Sequence, residues 1–379
     1  MGSRFLIGFF AVVSLAARRS SMASSLEEPL VATTSALFIL GDSSVSCGDG
    51  TFFPLPPGNS SRLLCDDSGG PRHRLLPDLI AERMGLPPVP SFYRAKGTAD
   101  GLRNGLNFGT VPATILSGGY TSLFRVQGLS QQIRQLYDIL QLLQLQIRAD
   151  VFREIVSSAV FYLSFGRDDF IDLFFLDSSG LMPKYGRRGF PRLLVPQMMQ
   201  AIEDLYNAGA RNIVVAGVGS LGCTPRVMWE ALAGGGLDAQ GCVREVNELS
   251  LDYNAGLLAA LSDLNSRLPG ARIVFCDVYA GMLEIISNPA TYGHAAAWAG
   301  TGDGGCLAAE MACEEPSRRV WWDLYNPTAT VNELLANWSW TGARRRSAVP
   351  GPWASSFRPP RWLTRVTSCS SRSEGRSVR

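Results

Sequence analysis

Short apolar runs alternate with longer amphipathic stretches through most of the chain. The first run, Ala36 to Leu40, stops abruptly at Gly41-Asp42-Ser43. Val160–Phe165, Asn212–Val218 and Ile273–Val278 repeat the pattern, and Gly105–Phe108 is a shorter version of it. Runs of this length, apolar at consecutive rather than alternate positions, mark strands covered on both faces. Between them, apolar residues recur at helical spacing. Leu75–Met84 has Leu75, Leu76, Leu79 and Ile80, with Pro77 near its start and Gly85 as a stop. Leu129–Ile155 carries a stripe of Ile133, Leu136, Leu140, Leu143 and Ile147, the signature of a helix packed on a sheet. Phe190–Ala208, Val243–Leu268 and Asn326–Trp340 complete the set, the last with Pro327 in its first turn. Strands alternating with long helices predict an α/β fold with a parallel, doubly wound sheet. Right-handed crossovers put helices on both of its faces. There is no internal repeat.

The two ends of the chain fall outside this pattern. Phe5 to Ala17 is an apolar run between Arg4 and Arg18-Arg19, too short for a bilayer and followed at once by polar Ser20 to Ser25. It reads as the core of a secretory leader, residues 1–25, with a buried N-terminal helix as the other reading. No later stretch has the length and apolarity of a membrane span. Beyond Trp340 the apolar periodicity stops. From Thr341 onward nine arginines stand against one glutamate, a tail of +8 on a chain of +2 overall, so residues 1–340 carry −6. The tail, 341–379, is expected to be disordered, because Arg, Ser and Pro cannot bury enough surface to fold. It is either an anchor for anionic polymer or lipid or an extension without function. A single domain is expected over 26–340.

Eight cysteines after a leader indicate an oxidising compartment and a secreted, extracellular protein. Cys47 and Cys65, Cys223 and Cys242, and Cys306 and Cys313 each bracket a loop, and are expected to pair. Cys276, at the end of an apolar run, reads as a buried free thiol, and Cys369 lies in the tail. None has metal-ligand spacing, so no metal is expected, and no cofactor motif is present. Asn59-Ser60-Ser61 and Asn337-Trp338-Ser339 are glycosylation sequons.

The chemistry is expected where the strands end, since ligands of open α/β sheets sit outside the carboxyl ends of the strands. Ser43 follows the first strand and is a candidate nucleophile, although Ser and Asp at such a turn are also favoured helix caps. Four further blocks bear on the choice. Gly105-Leu106-Asn107-Phe108 resembles the GxNF block of the plant GDSL-type esterase/lipase family, part of the SGNH hydrolase superfamily. Leu163-Ser164-Phe165-Gly166-Arg167-Asp168-Asp169 resembles its strand ending in GxND, and Gly219 to Pro225 its LGCxP turn. Asn288-Pro289 with Tyr292-Gly293 matches NPxxYG, and Trp322 to Thr328 with Asn332 resembles WDxxHPTxxxN. Together the blocks span most of residues 36–340. The resemblance implies a three-layer α/β/α sandwich with about five parallel strands. It also implies a hydrolase acting on ester bonds, in lipids or in acetylated polysaccharide.

The same resemblance implies a site made of a serine, a glycine, an asparagine and a histidine, with an aspartate three residues before the histidine. Ser43 matches the nucleophile and Asp323 the acid. The histidine position is Asn326, whose amide takes no proton near neutral pH; Asn326 reads instead as the cap of the helix that begins at Pro327. The donor glycine falls at Pro112, which has no N–H, and the donor asparagine is Asp168, which when ionised only accepts. The chain has two histidines, His73 and His294, and of these His294 lies in a loop before the Asp323 block. Two functions stay open: an ester hydrolase of weak or no activity, and a non-catalytic secreted binding protein using the same cleft. The partner expected is a small-molecule ester or a cell-wall polysaccharide. Nucleic acid is not expected for an acidic core behind a leader, and nothing in the sequence bears on oligomeric state.

Overall fold

The computed structural model describes residues 36–46, 74–116, 127–171, 181–231, 237–238, 240–294, 316–322 and 325–341. Six strands lie within them: β1 (Leu37–Gly41), β2 (Ala113–Thr114), β3 (Gln127–Gly128), β4 (Val160–Ser164), β5 (Asn212–Ala216) and β6 (Arg272–Cys276). Strands β1, β4, β5 and β6 form one sheet in that order, every pair parallel. Strands β2 and β3 pair separately, also in parallel. The helices are α1 (Leu76–Arg83), α2 (Ala99–Leu102), α3 (Leu129–Gln146), α4 (Ala149–Ser158), α5 (Leu181–Asn207), α6 (Pro225–Ala231), α7 (Arg244–Arg267), α8 (Val278–Ser287) and α9 (Ala329–Thr341).

Consecutive apolar residues in the four long strands serve two cores. Phe38, Leu40, Phe161, Leu163, Ile213, Val215, Ile273 and Phe275 point into one layer, which is closed by residues of α3, α5 and α7. Leu37, Ile39, Val160, Tyr162, Val214 and Val274 point into the other, closed by α1, α8 and α9. This is the three-layer α/β/α sandwich that the alternation of runs predicts. Phe38 and Phe161 stack across β1 and β4 with centroids 5.2 Å apart.

Four differences from the sequence-based expectation have local causes. The Gly105–Phe108 run does not become a fifth strand. It lies along the open edge of β1, with Leu37 N donating to Asn104 O at 3.0 Å and Ile39 N to Leu106 O at 2.9 Å. The ladder is reduced to an isolated bridge between Ile39 and Asn107, because Gly105 has φ +99° and leaves the extended region. The Leu129–Ile155 stripe is broken into α3 and α4 at Ile147, whose φ of −130° and ψ of 166° end the first helix. Arg148 opens the second and reaches Asp150 in its first turn at 2.6 Å. Helix α9 starts at Ala329, beyond Asn326, so Asn326 is not its cap. Cys276 is not a free thiol: it is disulfide-bonded, as a buried cysteine in an oxidising compartment can be.

Cys223–Cys242 forms as expected. The partner of Cys276 lies outside the described residues. The expected pairs Cys47–Cys65 and Cys306–Cys313, the sequon at Asn59, His73, Asp323, the leader and the tail from residue 342 also lie outside the described residues. Asn337 of the second sequon is on α9, where its Oδ1 accepts from Arg83 Nη2 at 2.6 Å. Among the described residues no helix is long and apolar enough to cross a membrane, and no cluster of His, Cys, Asp and Glu could hold a metal ion.

Candidate active site

The site is assembled where β1 and β4 end side by side. Asp42 N donates to Ser164 O at 3.0 Å, which holds the β1 exit against β4. A Cβ at Gly41 would collide with Val45 and with the Ser164 carbonyl, so only glycine allows this approach. The turn closes when Val45 N donates to Asp42 O at 3.1 Å. Gln132, from α3, pins it from behind: its Nε2 donates to Gly41 O and its Oε1 accepts from Gly41 N, both at 2.8 Å.

Asp42 is fully buried beneath this turn. Its carboxylate accepts from Ser44 N at 2.9 Å and from Arg167 N at 2.9 Å, with Asp168 N at 3.4 Å. It therefore ties the β1 exit to the β4 exit. Burial, and then the charge of Asp168, push its pKa up to about 6, against the pull of Arg167 and Ser44. Next to it, Asp169 is fully buried and accepts from Ile115 N at 2.9 Å and Leu116 N at 3.3 Å. Burial holds its carboxyl well above the usual range.

Asp168 lies over Ser43. One of its oxygens, Oδ2, accepts from Ser43 N at 3.1 Å and from Ala113 N at 2.9 Å. The other, Oδ1, accepts the Ser43 hydroxyl in a short contact. Arg167 completes the cage: its Nε donates to Ser43 Oγ at 3.0 Å and its Nη1 to Asn326 Oδ1 at 2.7 Å. Ser43 Oγ thus gives its proton to a carboxylate and accepts one from a guanidinium. Two backbone N–H groups that converge on one point, as an oxyanion hole requires, are already spent on an internal carboxylate.

Of the positions singled out in the sequence, Ser43, Asp168 and Asn326 are brought together, and Pro112 adjoins them. The N–H that meets that of Ser43 belongs to Ala113, one residue beyond Pro112. Arg167 was not singled out; the signal for it was an arginine at a strand exit in an otherwise apolar block. His294 is buried after the turn at 289–292. Among the described residues neither ring nitrogen has a partner, and His294 is not among the residues that line the cleft. Burial lowers its pKa, which weakens it as a charged group.

A cleft of about 720 Å³, counted out to its mouth, opens beside this cage along the carboxyl edge of the sheet. Its polar residues include Asp42, Ser44, Arg167, Ser220 and Asn326. Ser220 is placed by the β5 exit loop. Asn254 holds that loop through Val218 N at 2.9 Å and Val218 O at 2.8 Å, and Cys223–Cys242 anchors its far end.

This geometry, a Gly-Asp-Ser turn at the carboxyl edge of a four-stranded parallel sheet, accompanies a match in sequence. The pattern of GDSL-like lipases/acylhydrolases fits residues 37–339. The chain belongs to that family. Among its relatives in Arabidopsis thaliana, GDSL esterase/lipase At1g71691 is 29% identical over 323 residues, covering 82% of this chain and 82% of the relative. GDSL esterase/lipase At5g37690 is 28% identical over 324 residues, covering 81% and 89%. GDSL esterase/lipase 7 is 28% identical over 319 residues, covering 80% and 86%. The GDSL family is one of ester hydrolases, and a small-molecule ester substrate is consistent with membership of it.

Proposed function

We propose that this GDSL-family protein is a secreted relative of the ester hydrolases whose hydrolytic site is disabled, and that its cleft serves binding. The observation that carries the reading is the placement of Asp168. Acyl transfer needs a free hydroxyl, a base for its proton and donors for the developing oxyanion. The Ser43 proton is directed at Asp168 Oδ1, and the N–H groups of Ser43 and Ala113 are directed at Asp168 Oδ2. An oxyanion forming there would face a carboxylate. Two unit charges of like sign 4 Å apart repel by about 4 kcal/mol near a protein surface, roughly a thousandfold in rate. Asn326 supplies no base, and the acid expected at Asp323 would have no histidine to orient.

The test is turnover of p-nitrophenyl acetate and butyrate by the purified protein beside its Ser43→Ala variant. Rates within about threefold of each other are expected, since a blocked nucleophile and an absent one are equivalent. Wild-type turnover far above the variant would overturn the reading. It would assign the base role to Asp168, the residue that accepts the Ser43 proton.

A further inference from the structure

The cleft contains donors that the protein does not use. Arg167 is 9% exposed. Its Nε and Nη1 serve Ser43 and Asn326, while Nη2 donates to no described residue. Among the described residues, Asp168 is the acid that Arg167 approaches; its Oδ1 is 3.8 Å from Nε and it is already occupied by Ser43 and Ala113. Ser220 is the second such group. It is 1% exposed, lines the same cleft, and its hydroxyl has no hydrogen-bond partner among the described residues. Buried hydroxyls are nearly always bonded in native proteins, so an unbonded one lining a cleft marks a position where a ligand atom completes it.

Ser164, Thr224 and Asn332 also line the cleft, and its apolar wall includes Leu76, Tyr162, Met282, Trp321 and Leu335. A guanidinium is always charged, and its planar fork matches a carboxylate. The unused Nη2 of a cation and one hydroxyl suit a single anionic group better than a dianion, because Asp42 shares the cleft. Asp42 itself is committed to the N–H groups of Ser44, Arg167 and Asp168, which leaves it poorly placed to bind a cation.

We propose that the cleft is a receptor for a carboxylate carried on an apolar body. The carboxylate meets Arg167 and Ser220, and the apolar body lies against Leu76, Met282, Trp321 and Leu335. This names a ligand class for the binding role proposed above and rests on that role.

The experiment is calorimetric titration of the full-length protein with octanoate at pH 7.5, beside the neutral octanamide. Octanoate is expected to bind saturably and at least tenfold more tightly than octanamide. Arg167→Gln should erase that preference, and Ser220→Ala should weaken octanoate several-fold. Leu335→Trp should weaken both ligands by filling the cleft. If Arg167→Gln does not fold, the octanamide comparison and Ser220→Ala carry the test unaided. Equal binding of the two ligands, no binding of either, or a preference that survives Arg167→Gln would overturn the proposal. Ester turnover is read separately. Turnover above the Ser43→Ala variant, with octanoate preference intact, removes the disabled-site reading and leaves the receptor. No turnover and no octanoate preference does the reverse.

Discussion

The Ser43 hydroxyl is held between two charged groups: Asp168 takes its proton and Arg167 Nε donates to its oxygen at 3.0 Å. Repair of this cage should be non-additive, because the parts of a catalytic unit fail together. Asp168→Asn removes the charge and turns an acceptor-only side chain into one with an N–H to offer a developing oxyanion, but the Ser43 proton still has no base. Asn326→His supplies an imidazole, but also removes the acceptor for Arg167 Nη1, which then competes for the ring. Each single variant should stay within about tenfold of the Ser43→Ala rate. The double variant should exceed the product of the single gains, since one oxyanion donor in a working site is worth about 2.7–4 kcal/mol. Replacing Arg167 by Asn in that background should raise the rate further by freeing Ser43 Oγ. The measurement is kcat/KM on p-nitrophenyl butyrate for the series. A double variant no better than the better single would show that the cage around Ser43 is not what limits turnover.

At the scale of the elements, the site is a property of the exits of β1, β4 and β5 and of the segment that edges β1. The apolar runs made β1, β4, β5 and β6 legible, because a buried parallel strand has few alternatives once its length and flanks are set. The Gly105–Phe108 run reads as a short strand and did not become one. What decides it is the backbone at Gly105, with φ +99° and the Leu37 carbonyl where a side chain would begin. Neither is visible in composition. Likewise Asp168 was legible as a replaced donor, but its embrace of Ser43 was not, since that depends on two strand exits meeting. Arg167 was missed because its partners, Ser43 and Asn326, lie 124 and 159 residues away. The edging segment can be tested directly. Gly105→Ala forces a side chain into backbone and should cost clearly more than the roughly 1–2 kcal/mol of a left-handed residue alone. Gly85→Ala, at φ +72° with nothing within 4 Å, should cost about that baseline. Chemical denaturation of the two variants gives the comparison, and equal losses would mean that the segment can withdraw from β1 freely. The Cys223–Cys242 link closes a 19-residue separation behind Ser220. Its removal by a double serine substitution should cost about 3 kcal/mol, read as a lower midpoint in the same denaturation.

For the whole molecule, the carboxylates that shape the site also set how stability depends on pH. Asp42 has its pKa raised from 3.8 to about 6, by burial first and by Asp168 second. The folded protein therefore holds this proton more tightly than the unfolded chain does. Its contribution to stability is complete below the unfolded value of 3.8 and is lost as pH rises through about 6. The rise corresponds to roughly 3 kcal/mol. Asp169, also raised, acts in the same direction, whereas surface carboxylates in ion pairs act oppositely in acid. The net curve therefore mixes several groups, and a comparison is needed to isolate Asp42. Asp42→Asn cannot titrate. It has a pH-independent cost as well, because its NH₂ must face one of the N–H groups that the carboxylate now satisfies. The difference in stability between wild type and Asp42→Asn should then be largest in favour of wild type near pH 4.5. It should shrink by roughly 2–3 kcal/mol by pH 7.5, where wild type carries a buried charge and the variant does not. Thermal melts of both proteins at half-unit intervals between those limits measure it. A difference that is flat with pH would mean that Asp42 keeps an ordinary pKa in the fold, paired more closely with Arg167 than its burial implies. A difference that grows with pH would mean that the carboxylate is the form the three backbone donors select.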